Sequence, residues 1–192
     1  MKIGLFGGTF DPPHNAHIII AKLALKKFAL NKIFFIVSKI PPHKSPCTIT
    51  PFFDRFNMVK RAIRNIKNFE ISDYEMSRNG PSYSYYTIKH FTKLYQGAQL
   101  YFLIGHDEFL TLPQWFRIKN IAKMIEFIVV PRKCSYPCSR SSVENFKGTI
   151  HFLQIKPINI SSTMIRENIW RKKSVLKLIP KTVACYIKKK LL

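Results

Sequence analysis

The sequence KIGLFGGTFDPPHNAH, residues 2–17, decides the fold. Its first part, Lys2–Phe6, is short and apolar and runs into Gly7-Gly8, which predicts a buried β-strand followed by a tight turn. An amphipathic helix pattern then extends from His14 to about Ala29. The stretch is not a Walker A loop, because no Gly-Lys-Ser/Thr closes it, and its glycines have the wrong spacing for a dinucleotide fingerprint.

Strand and helix patterns alternate along the rest of the chain. Further strands are predicted at Ile33–Val37, Phe69–Ser72, Leu100–Ile104, Ile125–Val130 and Ile150–Ile155. Further helices are predicted from Pro51, capped by Thr50, to about Ile66, at Ser82–Tyr95, from Ser161 or Ser162 to about Lys173, and from Pro180 onward. This order predicts an α/β fold, a Rossmann-like doubly wound parallel sheet with helices on both faces. We expect one domain over residues 1–192.

The charge of the chain departs from that of an average globular protein. There are 32 Lys and Arg residues against 10 Asp and Glu residues, a formal net charge of +22, while 46% of residues are apolar. Such an excess attracts nucleotides, nucleic acids and acidic lipids alike. The basic residues are spread along the chain rather than interleaved with aromatics in one stripe. We therefore expect no nucleic-acid partner, and a basic nucleic-acid-binding module stays as the alternative of another class.

The cysteines and the hydropathy indicate the compartment. Cys47, Cys134, Cys138 and Cys185 form no CxxC pair, and Cys134 and Cys138 lack a second pair to complete a zinc site. No secretory signal opens the chain, and no apolar run approaches the ~20 residues that span a bilayer. We expect a reduced cytoplasmic protein with no membrane partner. The sequence leaves open whether it is a monomer or a homo-oligomer.

Two segments have the chemistry of a polyphosphate site. In open parallel sheets, ligands bind at the carboxyl ends of strands where the strand order reverses. After the first strand, glycines expose backbone amides beside a helix N-terminus, and His14 and His17 project from one helix face. Taken separately, these features could be a turn, ordinary histidines or a metal pair; together they favour phosphate binding.

The second segment is ISSTMIR, residues 160–166. Three hydroxyl side chains stand at a helix start, and Arg166, one turn further on, can bind phosphate with its forked guanidinium. The alternative is an ordinary serine N-cap followed by a solvated arginine.

Both segments match motifs of a known superfamily. Residues 7–17 resemble the GxFDPxHxGH motif of the nucleotidyltransferases, with Ala16 in place of the last glycine, and residues 160–166 resemble their ISSTxIR motif. Three further segments resemble the nicotinate-nucleotide adenylyltransferase branch in particular: Pro41–Lys44 (PPHK), Arg78–Ser84 (RNGPSYS), and Ile104–Asp107 (IGHD) with Trp115-Phe116. The fold implied is that of the HxGH-type nucleotidyltransferases.

This resemblance implies transfer of AMP from ATP to nicotinate mononucleotide, giving deamido-NAD and pyrophosphate in NAD biosynthesis. The 5′-phosphate of the mononucleotide would attack the α-phosphorus in line, without a covalent intermediate. Mg²⁺ is expected as a cofactor carried on the ATP phosphates, because it prefers substrate oxygens and water to a protein cage. The close alternative is the same fold acting on nicotinamide mononucleotide.

The resemblance also implies residue roles. His14 and His17 are the expected catalytic pair at the ATP phosphates. Further ATP contacts are expected from Gly8, Thr9, Phe10, Gly105, Asp107, Ser161, Ser162, Thr163 and Arg166. Contacts to nicotinate mononucleotide are expected from His43, Lys44, Ser84, Tyr85, Trp115 and Phe116. Asp107 could instead cap a helix, Trp115 could instead be core packing, and Asp11 is expected to hold backbone donors.

Overall fold

The computed structural model describes residues 1–45, 48–131, 143, 146–156 and 158–190. Within them, six parallel strands form one sheet in the order β3-β2-β1-β4-β5-β6. The strands are β1 (Lys2–Gly8), β2 (Lys32–Val37), β3 (Phe69–Ser72), β4 (Gln99–Gly105), β5 (Glu126–Val130) and β6 (Ile150–Phe152). The predicted doubly wound parallel sheet is confirmed.

Eight α-helices are found in the same described ranges. They are α1 (Asn15–Lys27), α2 (Phe52–Ile63), α3 (Tyr74–Ser77), α4 (Ser84–Leu94), α5 (His106–Leu110), α6 (Ile118–Met124), α7 (Ser162–Trp170) and α8 (Lys181–Lys190). The sequence patterns missed α3, α5 and α6, which have four, five and seven residues. Helices this short do not repeat an apolar spacing often enough to be recognised. Cys134 and Cys138 lie outside the described residues.

The start of α2 differs from its prediction. The N-cap is Pro51, without a side-chain capping bond, so the expected cap by Thr50 is wrong. The Thr50 N–H instead donates to the Asp11 carboxylate over 3.3 Å. Asp11 is 4% exposed, and it holds a backbone donor as expected, although this donor precedes α2 rather than α1.

Both faces of the sheet are buried. Along β1, Ile3 and Leu5 belong to one apolar cluster, with α4 and α6 residues, whereas Phe6 belongs to the other, with α1 and α2 residues. Side chains alternate between faces along a strand, so a strand covered by helices on both faces has to be apolar throughout. This is why the strands are visible in the sequence as continuous apolar runs.

A third apolar cluster joins α7 and α8 to α2. Its buried members are Met58, Ile165, Ile179, Val183 and Ile187. The cluster packs α7 against α2, although these two helices are far apart in sequence. Among the described residues, no helix is both long and apolar enough to cross a membrane.

Hydrogen bonds to the Glu126 carboxylate link the last three strands. The Glu126 carboxylate lies 2.6 Å from His151 Nε2 and accepts a hydrogen bond from the Gln99 amide over 2.6 Å. Burial raises the pKa of Glu126, but the hydrogen bonds from His151 and Gln99 outweigh it and hold that pKa below its usual value. The ionised carboxylate therefore stabilises the fold.

We expect Glu126→Gln to lower the free energy of unfolding by ~1 kcal/mol at neutral pH. A carboxyl with a lowered folded-state pKa contributes stability above its unfolded pKa of about 4.3, and loses it as the pH falls through the folded value. The difference from the parent protein should therefore be smaller at pH 3 than at neutral pH. Urea unfolding at both pH values measures this, and an equal loss at both would show that the charge is not responsible.

Candidate active site

The β1–α1 loop bends back into the core. Phe10 has a φ of +50° and its ring is only 3% exposed, packed edge-on against Phe6 with a centroid distance of 5.6 Å. A Cβ on Gly8 would lie 3.0 Å from this ring, so a larger residue there would require the Phe10 ring to shift by a few tenths of an ångström. The predicted ATP contact of Phe10 is thus limited to its backbone, because its side chain is buried.

The two predicted catalytic histidines lie together at the start of α1. Their rings stack with centroids 3.6 Å apart and an interplanar angle of 19°. The His14 backbone N–H donates to His17 Nδ1 over 3.1 Å, so a neutral His17 ring carries its proton on Nε2. The His17 ring also packs edge-on against Phe10 at 4.9 Å. Backbone and core together fix its orientation and its tautomer.

Helix α7 is bonded to the β1–α1 loop. Arg166 Nη1 donates to the Asp11 carbonyl over 2.7 Å, and the Ser162 hydroxyl donates to the Pro12 carbonyl over 2.9 Å. Arg166 Nη2 reaches Thr163 Oγ1 at 3.3 Å. The two predicted phosphate segments are therefore in direct contact, next to the histidine pair.

The alternative interpretation of residues 160–166, a serine N-cap followed by a solvated arginine, is correct for the serine only. Ser161 is the N-cap of α7, and its hydroxyl oxygen accepts the Met164 N–H over 3.2 Å. Arg166, by contrast, is not merely solvated, because it donates to the loop after β1. The Ser161 hydroxyl oxygen is thus already engaged in capping α7.

A cavity of about 340 Å³ opens between the carboxyl ends of β1 and β4. This is where the strand order reverses, the place expected for a ligand. Seven predicted site residues line it: Gly8, Thr9, His43, Lys44, Ser84, Trp115 and Phe116. Its further polar lining residues, which the sequence analysis did not predict as ligand contacts, are Ser38, Ser82, Tyr83, Glu108, Thr111 and Gln114.

Two predicted ATP residues lie at the end of β4. Gly105 precedes α5, and its N–H donates to the Glu108 carboxylate over 2.7 Å. Asp107 is in the first turn of α5 and is exposed. The helix N-cap position belongs to Gly105 rather than to Asp107. The sequence signal that could have identified Glu108 is its spacing. An acidic residue three positions after a helix N-cap, as in Gly105-x-x-Glu108, often accepts the N-cap backbone N–H.

The aromatic wall of the cavity is partly core and partly surface. Trp115 packs edge-on against Phe102 with centroids 6.1 Å apart, while Phe116 is 38% exposed and stacks on Tyr83 at 4.8 Å. Tyr85, a predicted site residue, is only 7% exposed and does not line the cavity. Only its backbone could reach a ligand there.

The loops on the mononucleotide side are held by a buried carboxylate. Ser82 and Ile40 exchange hydrogen bonds, with the Ser82 N–H donating to the Ile40 carbonyl (2.8 Å) and the Ile40 N–H to the Ser82 hydroxyl (3.0 Å). The Ser82 hydroxyl in turn donates to Glu75, which also accepts from Thr87 at 2.8 Å and is 3% exposed. Glu75 thereby fixes the loop that carries His43 and Lys44. The sequence analysis missed it.

Positive charge concentrates around the cavity mouth. Burial lowers the pKa of the Lys44 ammonium most, and the Arg166 guanidinium lowers it further, against the opposing effect of the Asp11 and Glu108 carboxylates. Lys44, in the loop after β2, and Arg166, in α7, thus act on one another, although they are more than a hundred residues apart in the sequence. Two cations held this close favour an anion between them.

Comparison with known proteins identifies the family. The cytidylyltransferase-like family model matches residues 5–168. A nicotinate-nucleotide adenylyltransferase of Bacillus subtilis (strain 168) is 38% identical over 191 residues, which cover 97% of this chain and 95% of that protein. This chain belongs to the nicotinate-nucleotide adenylyltransferase family. A family member of Clostridium tetani, named a probable nicotinate-nucleotide adenylyltransferase, is 42% identical over 193 residues, with coverage of 98% and 96%.

The fold of the family is also found among solved structures. Plasmodium falciparum nicotinic acid mononucleotide adenylyltransferase complexed with NaAD matches with a TM-score of 0.82 and 22% identity, covering 100% of this chain and 96% of that one. At this identity the likeness concerns the fold.

We expect Glu75→Ala to lower the free energy of unfolding by about 2–4 kcal/mol, because it leaves the hydroxyls of Ser82 and Thr87 without their acceptor and removes the carboxylate that pairs with Arg78 over 4.0 Å. Glu70→Ala is the matched control. Its carboxylate pairs with Lys32 at the surface, so its loss should cost less than about 1 kcal/mol. Chemical denaturation measures both, and equal costs would contradict the role given to Glu75.

Proposed function

We propose that this chain transfers AMP from ATP to nicotinate mononucleotide, releasing pyrophosphate and forming deamido-NAD. The observation that carries the proposal is the bonding of α7 to the β1–α1 loop beside the cavity. It joins two phosphate-binding segments next to a cleft large enough for a second nucleotide. The names of the relatives, and the NaAD complex of the structural neighbour, support the same substrates.

In this proposal the ATP phosphates lie between the β1–α1 loop and the start of α7. The backbone amides of Gly8 and Thr9 and the Nε2–H of His17 face the α-phosphoryl group, and Arg166 faces the leaving pyrophosphate. Preorganised donors of this kind stabilise the charge that develops on phosphoryl oxygens in the transition state. Asp107, in the first turn of α5, accepts from the ribose hydroxyls in this proposal.

The mononucleotide occupies the cavity between β1 and β4. Lys44 and His43 bind its phosphate. Trp115 stacks on the pyridine ring, and backbone amides near Ser84 and Phe116 bind its carboxylate. A phosphate monoester has a second pKa of about 6 and is ionised at neutral pH. It attacks without a general base, so alignment and charge neutralisation supply the catalysis.

Mg²⁺ enters this proposal as part of the substrate, carried on the ATP phosphates. The described part of the chain has no group of three or more His, Cys, Asp or Glu residues that could hold a metal ion. In this proposal the net charge of +22 attracts the anionic substrates. We also propose that the enzyme is cytoplasmic and has no nucleic-acid partner.

The direct test is pyrophosphate release from MgATP by the purified chain, with nicotinate mononucleotide and nicotinamide mononucleotide assayed side by side. We expect deamido-NAD to form and kcat/KM to favour the nicotinate substrate. Absence of turnover with either, together with salt-dependent binding of oligonucleotides, would replace the enzyme by a nucleic-acid-binding module.

We expect His17→Ala to lower kcat by ~10²–10³-fold, the size of losing one preorganised donor to the transition state. His90 is the matched control, because its ring stacks on Tyr74 with centroids 4.1 Å apart and does not line the cavity. The kcat of His90→Ala should stay within about threefold of the parent value. Steady-state kinetics at saturating substrates decide it. A His17→Ala enzyme as fast as the control would remove His17 from the chemistry.

We expect Arg166→Ala to raise the KM for ATP by about 10- to 100-fold, as a charged hydrogen bond contributes ~1.5–3 kcal/mol. Arg171→Ala, at the exposed C-cap of the same helix, is the control and should leave the KM unchanged. An ATP affinity that Arg166→Ala does not alter would disprove the phosphate contact.

A further inference from the structure

Among the described residues, the most buried charged side chain is that of Arg55, in the first turn of α2. It is only 2% exposed, and the sequence analysis did not single it out, because a lone arginine in an amphipathic helix usually lies on the solvated face. Neither histidine motif nor the α7 segment includes it. The role of Arg55 therefore has to follow from the groups that it contacts.

The guanidinium of Arg55 donates to four backbone carbonyls. Nη1 bonds the Thr9 carbonyl and the Ser38 carbonyl, each over 2.8 Å. Nε bonds the Thr50 carbonyl over 2.8 Å, and Nη2 lies 3.4 Å from the Lys39 carbonyl. One side chain thus connects the ends of β1 and β2 and the start of α2.

The bonded carbonyls belong to the two loops that would hold the two substrates. Thr9 is in the loop after β1 that faces the ATP phosphates, and it lines the cavity. Ser38 also lines the cavity and leads directly into Pro41–Lys44. Because Nη1 bonds Thr9 and Ser38 at once, it extends the contact between these loops beyond the last backbone bond of the sheet, from the Ser38 N–H to the Gly8 carbonyl over 2.9 Å.

The electrostatic environment shows that this arrangement is costly. Burial lowers the pKa of Arg55, and the nearby Asp11 carboxylate offsets only part of that effect. An apolar residue of similar size would fill the same space without desolvating a charge. Lysine could not replace the fork, because its single ammonium cannot reach carbonyls on several sides in fixed geometry.

We propose that Arg55 is a positioning residue for adenylyl transfer: it holds the ATP loop and the mononucleotide loop at the separation that in-line attack requires. It touches neither substrate. The inference rests on the proposed function, because its readout is the rate of that reaction. A displacement of about 1 Å between reacting groups can cost ~10² in rate, which sets the expected size of the effect.

The test compares Arg55→Lys and Arg55→Met with Arg64→Met. Arg64 is the exposed C-cap of the same helix and lies outside the site, so its variant should match the parent. We expect both Arg55 variants to lower kcat by ~10²-fold while the KM for ATP and for nicotinate mononucleotide changes by less than about threefold. Rates are counted per folded molecule, from near-UV circular dichroism at the assay temperature.

Each outcome decides between positioning and simple structural support. A lowered melting temperature with unchanged kcat per folded molecule would overturn the proposal, as would a rise in KM without loss of kcat. If Arg55→Met does not fold, Arg55→Lys carries the test, because it keeps the charge and the aliphatic stem. The parent enzyme in the same assay separates the two hypotheses: an inactive parent rejects the proposed function, whereas an active parent with equally active Arg55 variants rejects the positioning role.

Discussion

Two hydrogen bonds hold the candidate site together. Arg166 donates to the Asp11 carbonyl and Ser162 donates to the Pro12 carbonyl, so the start of α7 is fixed to the loop after β1. The apolar contacts of Ile165 with α2 and α8 residues supply the non-directional part of this packing. The hydrogen bonds supply the register, because a shifted helix would leave both buried-side carbonyls without their donors. Everything proposed about phosphate binding depends on this junction.

Around the junction, two buried charged side chains support the loops that form the site. Arg55 binds the carbonyls at the ends of β1 and β2, and Glu75 binds the hydroxyls of Ser82 and Thr87. Both are charged groups whose hydrogen bonds go to the scaffold, which leaves loop amides, Lys44 and the aromatic wall to face the cavity. Catalysis by alignment requires that a rigid scaffold hold the groups that bind the substrates.

The sequence predicted the parts of this structure whose signals are local. Strands buried on both faces are continuous apolar runs, and the motif at Gly7–His17 combines turn glycines with a helix start. The parts it missed depend on distant partners. Arg55 resembles a solvated helix residue until the carbonyls of Thr9 and Ser38 are placed around it, and the hydrogen bond from the Thr50 N–H to the Asp11 carboxylate joins residues 39 positions apart. No spacing rule encodes such contacts across the sheet.

The central claim is that the β1–α1 loop and the start of α7 form one triphosphate site. A crystal structure with a non-hydrolysable ATP analogue tests it most directly. The account predicts phosphate oxygens within hydrogen-bond distance of both the His17 ring and the Arg166 guanidinium. A triphosphate bound by one of these groups alone, or placed away from the carboxyl end of β1, would contradict it.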